Sequence, residues 1–357
     1  MSSSLIGTPL AGSREDAQNL WKILQAMPVD EDFSDQPAEP IRQRRTTIAK
    51  AVSVQGPGTF FGKETRTIEF LPTEREGWWF DRTDHPEGLR IQVAIHNVWT
   101  TGQVVSNIVL RSGQPHNYVR LVEHIIALRM GMGIDDLIIK IDSGDPPLFD
   151  VGSMPLVEAL ESVGTVESSY PLEYVTVKEP VTFATPEGKL LVFEPADPDN
   201  PQLEVDCGIS FPNAIGEQRI KLVVNRETFR RGAHARTNTT AQKKLYCQSI
   251  GKLFADVRNL GYTDKNVLIA GKKKYHNTPI LEVNGKALEA VWHRAILDLL
   301  AAIALIERGN FIGKISSYKA GHAVDVQAIQ ALYRNDVLTR VHLPQSMHPS
   351  ELMDRAP

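Results

Sequence analysis

The run Ala287–Ile306 most constrains the fold of this chain, because it is long, helical in pattern and almost wholly apolar. A helix that is apolar nearly all round must be covered by protein on most of its sides. This helix nevertheless carries His293, Arg294 and Asp298. Burying such groups is costly unless they are paired or bind a metal. Two explanations remain open: a hydrogen-bonded histidine with an acid that caps a neighbouring group, or a metal site.

A second helix-period run, Tyr118–Asp136, carries an adjacent acid and imidazole among apolar neighbours. Glu123 and His124 therefore lie at the edge of a packed face. An imidazole can hold a metal ion, and a carboxylate can accept a proton from the water on that metal, so the pair suits metal-assisted hydrolysis. A surface acid beside a half-buried histidine is the more common explanation of such a dipeptide. The metal hypothesis therefore needs further ligands from elsewhere in the chain.

The elements on either side of Pro171 follow the same order. Residues 46–170 carry short β-type runs, the helix around Glu123, the strand-like run LIIKIDS and a second helix. Residues 171–340 carry strands, a basic and then helical segment, the long apolar helix, a strand with a turn, and a last helix. This order predicts an α+β fold of two similar α/β halves that arose by internal duplication. We take 46–170 and 171–340 as two domains and 341–357 as a C-terminal tail.

Residues 1–45 form a separate N-terminal segment in this division. Ser13 and Asp16 resemble a capping box at the start of a helix. Apolar side chains then recur at helical spacing: Ala17, Leu20, Trp21, Leu24 and Met27. Pro28 ends this helix, and the acidic, proline-bearing residues 29–40 are predicted to be a linker. The apolar face of the helix docks either on the body of the protein, which we favour, or on another subunit.

Composition excludes several classes of protein. With 357 residues, 42% hydrophobic content and a net charge of −4, the chain resembles a soluble globular protein and not a general nucleic-acid binder. Its two cysteines, Cys207 and Cys247, form no ligand cluster and indicate a reducing compartment. No apolar run is long enough for a transmembrane segment, and no secretory signal is visible. We therefore expect a cytoplasmic protein.

Four short motifs occur in the order and spacing of a known family. They are Val122-Glu123-His124, Ala235-Arg236-Thr237, His293-Arg294 and Tyr318-Lys319-Ala320-Gly321-His322-Ala323. Together they resemble the UDP-3-O-acyl-N-acetylglucosamine deacetylases, the zinc enzymes that commit the pathway to lipid A. The resemblance extends from about Thr46 to about Leu338. It implies two α/β halves whose helices are sandwiched between two sheets.

The resemblance also implies roles for individual residues. His124, His293 and Asp298 are candidate metal ligands, and Zn²⁺ or Fe²⁺ suits two imidazoles and a carboxylate. Glu123 is the implied general base, and His322 the protonated partner of the leaving amine. Two further catalytic candidates are Thr237, which would donate a hydrogen bond to the oxyanion, and Arg294, whose cation would face a phosphate. The candidate substrate-binding residues are Arg236, Asn238, Phe60 and Lys319.

Several positions depart from the family pattern. The third ligand of the family is an aspartate four residues after the histidine, whereas Asp298 follows His293 by five. On a regular helix one extra residue turns a side chain by about 100°. A π-bulge, a different register or a site with only two strong protein ligands are the alternatives. Ala301 and Ala302 stand where the family has an aspartate that orients the acid histidine.

Other departures concern the substrate. Arg294 replaces a lysine, Asn238 a phenylalanine and Glu194 a lysine, and the turn 58–62 lacks the histidine of the family. Two functions follow. The first is a metal-dependent deacetylase that acts on an acylated amino-sugar nucleotide. The second is a non-catalytic or re-purposed relative that binds a sugar nucleotide or a protein partner without hydrolysing it.

Overall fold

The structure is a computed structural model that describes residues 7–60, 64–102, 105–240 and 260–341. The predicted C-terminal tail therefore lies almost wholly outside the described residues, as do Cys247 and part of the turn 58–62. The described helices are α1 (Arg14–Ala26), α2 (Glu123–Met132), α3 (Met154–Val163), α4 (Arg226–Ala233), α5 and α6 (His322–Arg334). Helix α5 runs through Glu289–Trp292, the π-helical segment His293–Leu299 and Leu300–Ile303.

The strands are short. In chain order they are β1 (Thr8–Ala11), β2 (Glu31–Phe33), β3 (Arg44–Ile48), β4 (Val52–Pro57), β5 (Thr65–Leu71), β6 (Trp78–Arg82), β7 (Ile91–Gln92), β8 (Val98–Thr100), β9 (Val109–Arg111), β10 (Tyr118–Arg120), β11 (Leu137–Ile141), β12 (Thr165–Pro171), β13 (Tyr174–Val177), β14 (Val181–Ala184), β15 (Leu190–Glu194), β16 (Leu203–Ser210), β17 (Glu217–Val223), β18 (Asn238–Thr240), β19 (Leu268–Ala270), β20 (Glu282–Val283), β21 (Lys286–Ala287), β22 (Asn310–Phe311), β23 (Gly313–Tyr318) and β24 (Leu338–Arg340).

Two sheets share one topology. The first has the order β4-β5-β11-β6-β7, and the second contains the order β14-β15-β23-β16-β17. In each, the third strand is antiparallel to the strand on one side and parallel to the strand on the other. The predicted α+β fold of two similar halves is confirmed. Smaller sheets pair β10-β9-β8, β12-β3, β22-β13-β24, β18-β19 and β20-β21.

Helices α2 to α6 form a layer between the two sheets, and one continuous apolar cluster joins them. Two glycines let the helices approach closely. A side chain at Gly131 of α2 would collide with the ring of Phe229 of α4, and one at Gly232 of α4 would collide with Ile296 of α5. These contacts hold α2, α4 and α5 together, and these three helices lead to the site.

The N-terminal segment is part of the second sheet and not an appendage. β1 pairs with β14 at one edge, β2 pairs with β17 at the other, and α1 crosses the outer face between them. We call residues 8–33 the N-terminal strap. The predicted helix is confirmed, with the Ser13 hydroxyl accepting from the backbone N–H of Asp16 at 3.0 Å. The prediction of a linker was wrong for Glu31–Phe33, because this acidic stretch pairs with an exposed strand edge.

The strap packs on the body of the protein by strand alternation. Leu190 and Val192 of β15 face Leu24 of α1, while Leu191 and Phe193 of the same strand face the central core. Both faces of the second sheet are therefore covered. Within the described residues, no helix has the length and apolar character needed to cross a bilayer.

Candidate functional site

Two imidazoles from different halves of the chain meet at the centre of the molecule. The Nε2 atoms of His124 and His293 lie 2.9 Å apart. The hydroxyl oxygen of Thr237 lies 3.2 Å from the first nitrogen and 3.1 Å from the second. Residues far apart in the sequence thus bring two imidazole nitrogens and one hydroxyl to a single point.

The matching topology of the two halves explains this meeting. α2 precedes the central strand β11 of the first sheet, and α5 precedes the central strand β23 of the second. His124 lies in the first turn of α2, and His293 is the first residue of the π-helical segment of α5. The two helices pack together, so corresponding positions face each other. Leu121, just before α2, has φ 55°, a strained value for a bulky residue that is found where neighbours enforce it.

The π-helical segment turns Asp298 into the site. A π-helix pairs residue i with residue i+5, so Asp298 lies on the same face as His293. One carboxylate oxygen of Asp298 is 3.3 Å from Nδ1 of His293 and 3.4 Å from Nε2 of His322. The π-bulge alternative is therefore the one observed. Asp298 reaches the ring nitrogen of His293 that points away from His124.

His322 completes the cluster from the other side. It is the first residue of α6, and its Nε2 atom is 3.8 Å from a carboxylate oxygen of Glu123. The turn before it is set by Lys319, whose φ is 52°. Ala301 and Ala302 are fully buried. These alanines occupy the position at which an acid that orients His322 was expected. Asp298 is the acid that contacts His322 instead.

Burial and neighbouring charges shift the pKa values of the cluster in opposite directions. Burial raises the pKa of Glu123 and lowers that of His124 to about 3, an effect to which the charge of His293 adds. Burial alone would lower the pKa of His293, but the adjacent Asp298 carboxylate raises it. Burial would likewise raise the pKa of Asp298, but His293 and His322 hold it well below its usual range. Burial therefore makes Glu123 the more basic of the two carboxyl groups, while the neighbouring imidazoles keep Asp298 acidic.

A cavity of about 300 Å³ opens onto this cluster. Its polar lining residues are Ser106, Glu123, Ser210, Thr237, Asn238, Thr239, Tyr262, His293, Arg294, Asp298, Lys319 and His322. Apolar side chains, among them Val105, Ile209 and Phe211, cover part of its wall. A concave space with apolar walls and convergent polar groups is the usual form of a small-molecule site.

Arg294 lies in the wall of this cavity. One terminal nitrogen of its guanidinium donates to Asp325 at 2.6 Å and to Ser317 at 3.2 Å. Its Nε and its other terminal nitrogen are buried and have no hydrogen-bond partner among the described residues. A buried cation with free donors beside a cavity can accept an anionic group.

Two residues predicted to bind substrate lie elsewhere. The guanidinium of Arg236 donates to Glu289 at 2.7 Å and to the carbonyls of Lys265 and Thr278, so it is not free for a ligand. Phe60 is 2% exposed, and the guanidinium of Arg120 stacks on its ring at 3.5 Å. Neither residue lines the cavity. The structure therefore does not bring these two residues to the cavity, and their role in substrate binding stays a prediction.

Sequence reasoning missed the acids that support the site. Glu289 fixes Arg236 just before Thr237, and Asp325 fixes Arg294 just after His293. Both are almost wholly buried. Their signal was present in the sequence: each lies within one helical turn of a motif histidine on an apolar helix, and a buried acid there needs a cationic partner.

The side chains at this point meet some, but not all, of the requirements of a metal site. Two nitrogens each about 2.0–2.1 Å from a tetrahedral ion are separated by roughly 3.3 Å, close to the observed separation of the two imidazoles. The buried Nδ1 of His293 and the contacting oxygen of Asp298 both lack a well-aligned hydrogen bond. Across the described parts of the chain, no three His, Cys, Asp or Glu side chains already form a metal-binding group. A ligand role for Asp298 stays a prediction.

Comparison with known proteins agrees with the motifs. The UDP-3-O-acyl N-acetylglycosamine deacetylase family matches residues 45–334. A UDP-3-O-acyl-N-acetylglucosamine deacetylase of Bdellovibrio bacteriovorus is 29% identical over 294 residues, which cover 80% of this chain and 89% of the relative. The enzyme of the same name from Brucella ovis is 26% identical over 293 residues, which cover 81% of this chain and 95% of the relative. The chain therefore belongs to the UDP-3-O-acyl N-acetylglycosamine deacetylase family.

Proposed function

We propose that this chain is a metal-dependent deacetylase that hydrolyses the N-acetyl amide of an acylated amino-sugar nucleotide in lipid A biosynthesis, in the cytoplasm. The observation that carries the proposal is the convergence of His124, His293 and Thr237 beside a cavity that Glu123 and His322 also line. The relatives supply the substrate class, since their names describe deacetylases of UDP-3-O-acyl-N-acetylglucosamine.

Two side chains move the protons. Glu123 has a raised pKa through burial, which makes its carboxylate a stronger base, and it accepts a proton from the attacking water. His322 lies 3.8 Å from Glu123 and donates a proton to the amine nitrogen as the C–N bond breaks. Asp298 supplies a negative charge 3.4 Å from the same imidazole nitrogen. One carboxylate thereby supports both His293 and His322.

Two kinds of donor stabilise charge on the substrate. The hydroxyl of Thr237 donates to the oxygen that becomes negative when water adds to the amide carbonyl. Arg294, with free buried donors, and Lys319, exposed at the mouth of the cavity, attract the diphosphate of the substrate. Asn238 lines the same wall and offers an amide to the sugar.

A metal ion completes the proposal. His124 and His293 would hold Zn²⁺ or Fe²⁺ through their Nε2 atoms, and Asp298 would orient His293 through its Nδ1 atom, 3.3 Å away. The ion would supply Lewis-acid polarisation of the carbonyl and a lowered pKa for water at the site.

Metal analysis and acetate release test the proposal together. We expect about one zinc per purified chain, and loss of that zinc in both His124→Ala and His293→Ala. The exposed His276→Ala serves as the matched control and should keep its zinc. The wild-type protein should release acetate from UDP-3-O-acyl-N-acetylglucosamine. Full metal retention by both site variants would contradict the proposed metal site.

The alternative is a relative that binds a sugar nucleotide or a protein partner without hydrolysing it. The observation in its favour is that, within the described parts of the chain, no third His, Cys, Asp or Glu side chain joins the two imidazoles in a metal-binding group. Calorimetry with the same nucleotide separates the two functions. Binding of the nucleotide by the wild-type protein with no acetate released under any metal condition establishes the alternative.

A further inference from the structure

We propose that Glu31, in the N-terminal strap, is a positioning residue that fixes His293 and Thr237 relative to each other. Glu31 lies on β2 at the edge of the second sheet, and its side chain is 10% exposed. The family match begins at residue 45, so this residue lies outside the region shared with the family. The inference rests on the proposed function in one respect, since it takes His293 as a metal ligand.

Each oxygen of the Glu31 carboxylate binds a different element. One oxygen accepts from the indole Nε1 of Trp292 at 2.7 Å, and the other accepts from a terminal nitrogen of Arg231 at 2.5 Å. Trp292 belongs to α5 and Arg231 to α4. A single carboxylate of the strap therefore joins the two helices.

On the α5 side, the contact reaches the residue directly before His293. Trp292 is fully buried, so its indole N–H depends on an acceptor within the protein. Phe33 of the strap packs edge-to-face on the same indole, with ring centroids 5.6 Å apart. The strap thus fixes the rotation of α5 at the point where its π-helical segment begins.

On the α4 side, the contact leads to Thr237. Arg231 lies in the last turn of α4, and its guanidinium is 5.5 Å from the ring centroid of Phe33 and 5.2 Å from that of Trp292. Glu289 of α5 accepts from the backbone N–H and side chain of Arg236, the residue before Thr237. Glu31 and Glu289 therefore tie the Thr237 segment to α5 from two places.

The contacts of Glu31 affect the distance between Thr237 and His293 at the site. Thr237 lies 3.1 Å from the Nε2 atom of His293, and a small rotation of α5 relative to α4 changes that contact. Removing the Glu31 carboxylate leaves the indole N–H of Trp292 without its acceptor and Arg231 without its charge partner. Partners that orient a metal ligand typically change metal affinity by about 10–100-fold when they are lost.

The test compares Glu31→Ala with Glu39→Ala in the full chain. Glu39 belongs to the same N-terminal segment and also binds α4, through the backbone N–H of Arg226 at 2.8 Å, but at the other end of that helix. We expect Glu31→Ala to weaken zinc binding by about tenfold or more in chelator competition. Glu39→Ala should stay within about twofold of wild type. Glu31→Gln, which keeps an acceptor for the indole, should recover part of the loss.

A second measurement works without metal. In ¹⁵N-histidine spectra of metal-free protein, Glu31→Ala should shift the Nε2 signals of His124 and His293, and Glu39→Ala should leave them in place. Unchanged signals in Glu31→Ala, or equal changes in both variants in proportion to their loss of stability, overturn the inference. If the wild-type protein binds no zinc, the proposed function fails, while these spectra still decide the role of Glu31.

Discussion

The two halves of the chain have the same strand order, and each places a histidine on the helix before its central strand. They differ in how that helix is built and held. α2 is regular from Glu123 to Met132, whereas α5 contains the π-helical segment His293–Leu299. Only the second sheet has both edges paired with the N-terminal strap.

This difference separates two requirements of the site. The topology that the two halves share is enough to bring His124 and His293 face to face. The direction of the Asp298 side chain depends on the π-helical geometry of α5. The position of α5 depends in turn on contacts from the strap. The shared topology thus supplies the paired imidazoles, and features of the second half supply their support.

The largest expected effect comes from single-residue deletions in the two site helices. Deleting Ala127 turns the rest of α2 by about 100° and brings Met132 to the place of Gly131, against Phe229. We expect this variant not to fold. Deleting Leu297 lets the π-helical segment close into a regular α-helix, so the protein should fold, with about 2–5 kcal/mol less stability from the lost buried side chain.

Far-UV circular dichroism and urea unfolding check this pair. Equal tolerance of both deletions, or failure of both to fold, would show that the π-helical segment is not an added turn on an otherwise duplicated helix.

The next effect concerns the acid that the first half contributes. Glu123→Gln removes the proposed base and should lower the rate of acetate release by about 10²–10⁴-fold. Its zinc content should stay at the wild-type level. Glu69→Gln, at a partly exposed position in the first sheet, is the control and should retain full activity. Loss of zinc together with activity in Glu123→Gln would assign the residue to metal binding.

A third prediction uses a buried acid that only the first half has. Asp136 directly precedes β11, while Ile312 holds the place before β23. Burial raises the pKa of Asp136 to about 6. Because the unfolded chain releases this proton near pH 4, its contribution to stability is complete below pH 4 and is lost as the pH rises to 6. The expected loss between pH 4 and pH 6 is roughly 2 kcal/mol.

Asp136→Asn should remove this fall in the free energy of unfolding between pH 4 and pH 6. The exposed Asp150→Asn should preserve it. Urea unfolding at several pH values measures the slope, and an unchanged slope in Asp136→Asn would exclude Asp136 as its source.

The smallest effect compares two serines that precede helices. The Ser13 hydroxyl caps α1, whereas Ser153 precedes α3 without a side-chain cap. Ser13→Ala should lower the free energy of unfolding by about 1 kcal/mol. Ser153→Ala should leave it nearly unchanged, because the buried hydroxyl of Ser153 has no hydrogen-bond partner among the described residues. Equal thermal shifts in the two variants would contradict the assigned cap.

The parts of the fold that were predictable have long, periodic patterns. The helices around Glu123 and His293 and the central strand β11 follow from apolar spacing, and the structure confirms them. The strap edges were not predictable, because three- and four-residue strands carry too little pattern and are fixed by pairing with distant partners. The direction of the Arg236 side chain was not predictable either, because its partner Glu289 lies on another element.

By itself, the sequence determined which residue types meet: two imidazoles, a buried acid and a hydroxyl on elements of a duplicated α/β unit. Only the tertiary structure decided which way Asp298 points and what holds α5 in place. A local pattern specifies helix or strand through its period. The choice between a regular turn and a π-helical one depends on packing against α2, α4 and the strap, and those contacts exist only in the folded chain.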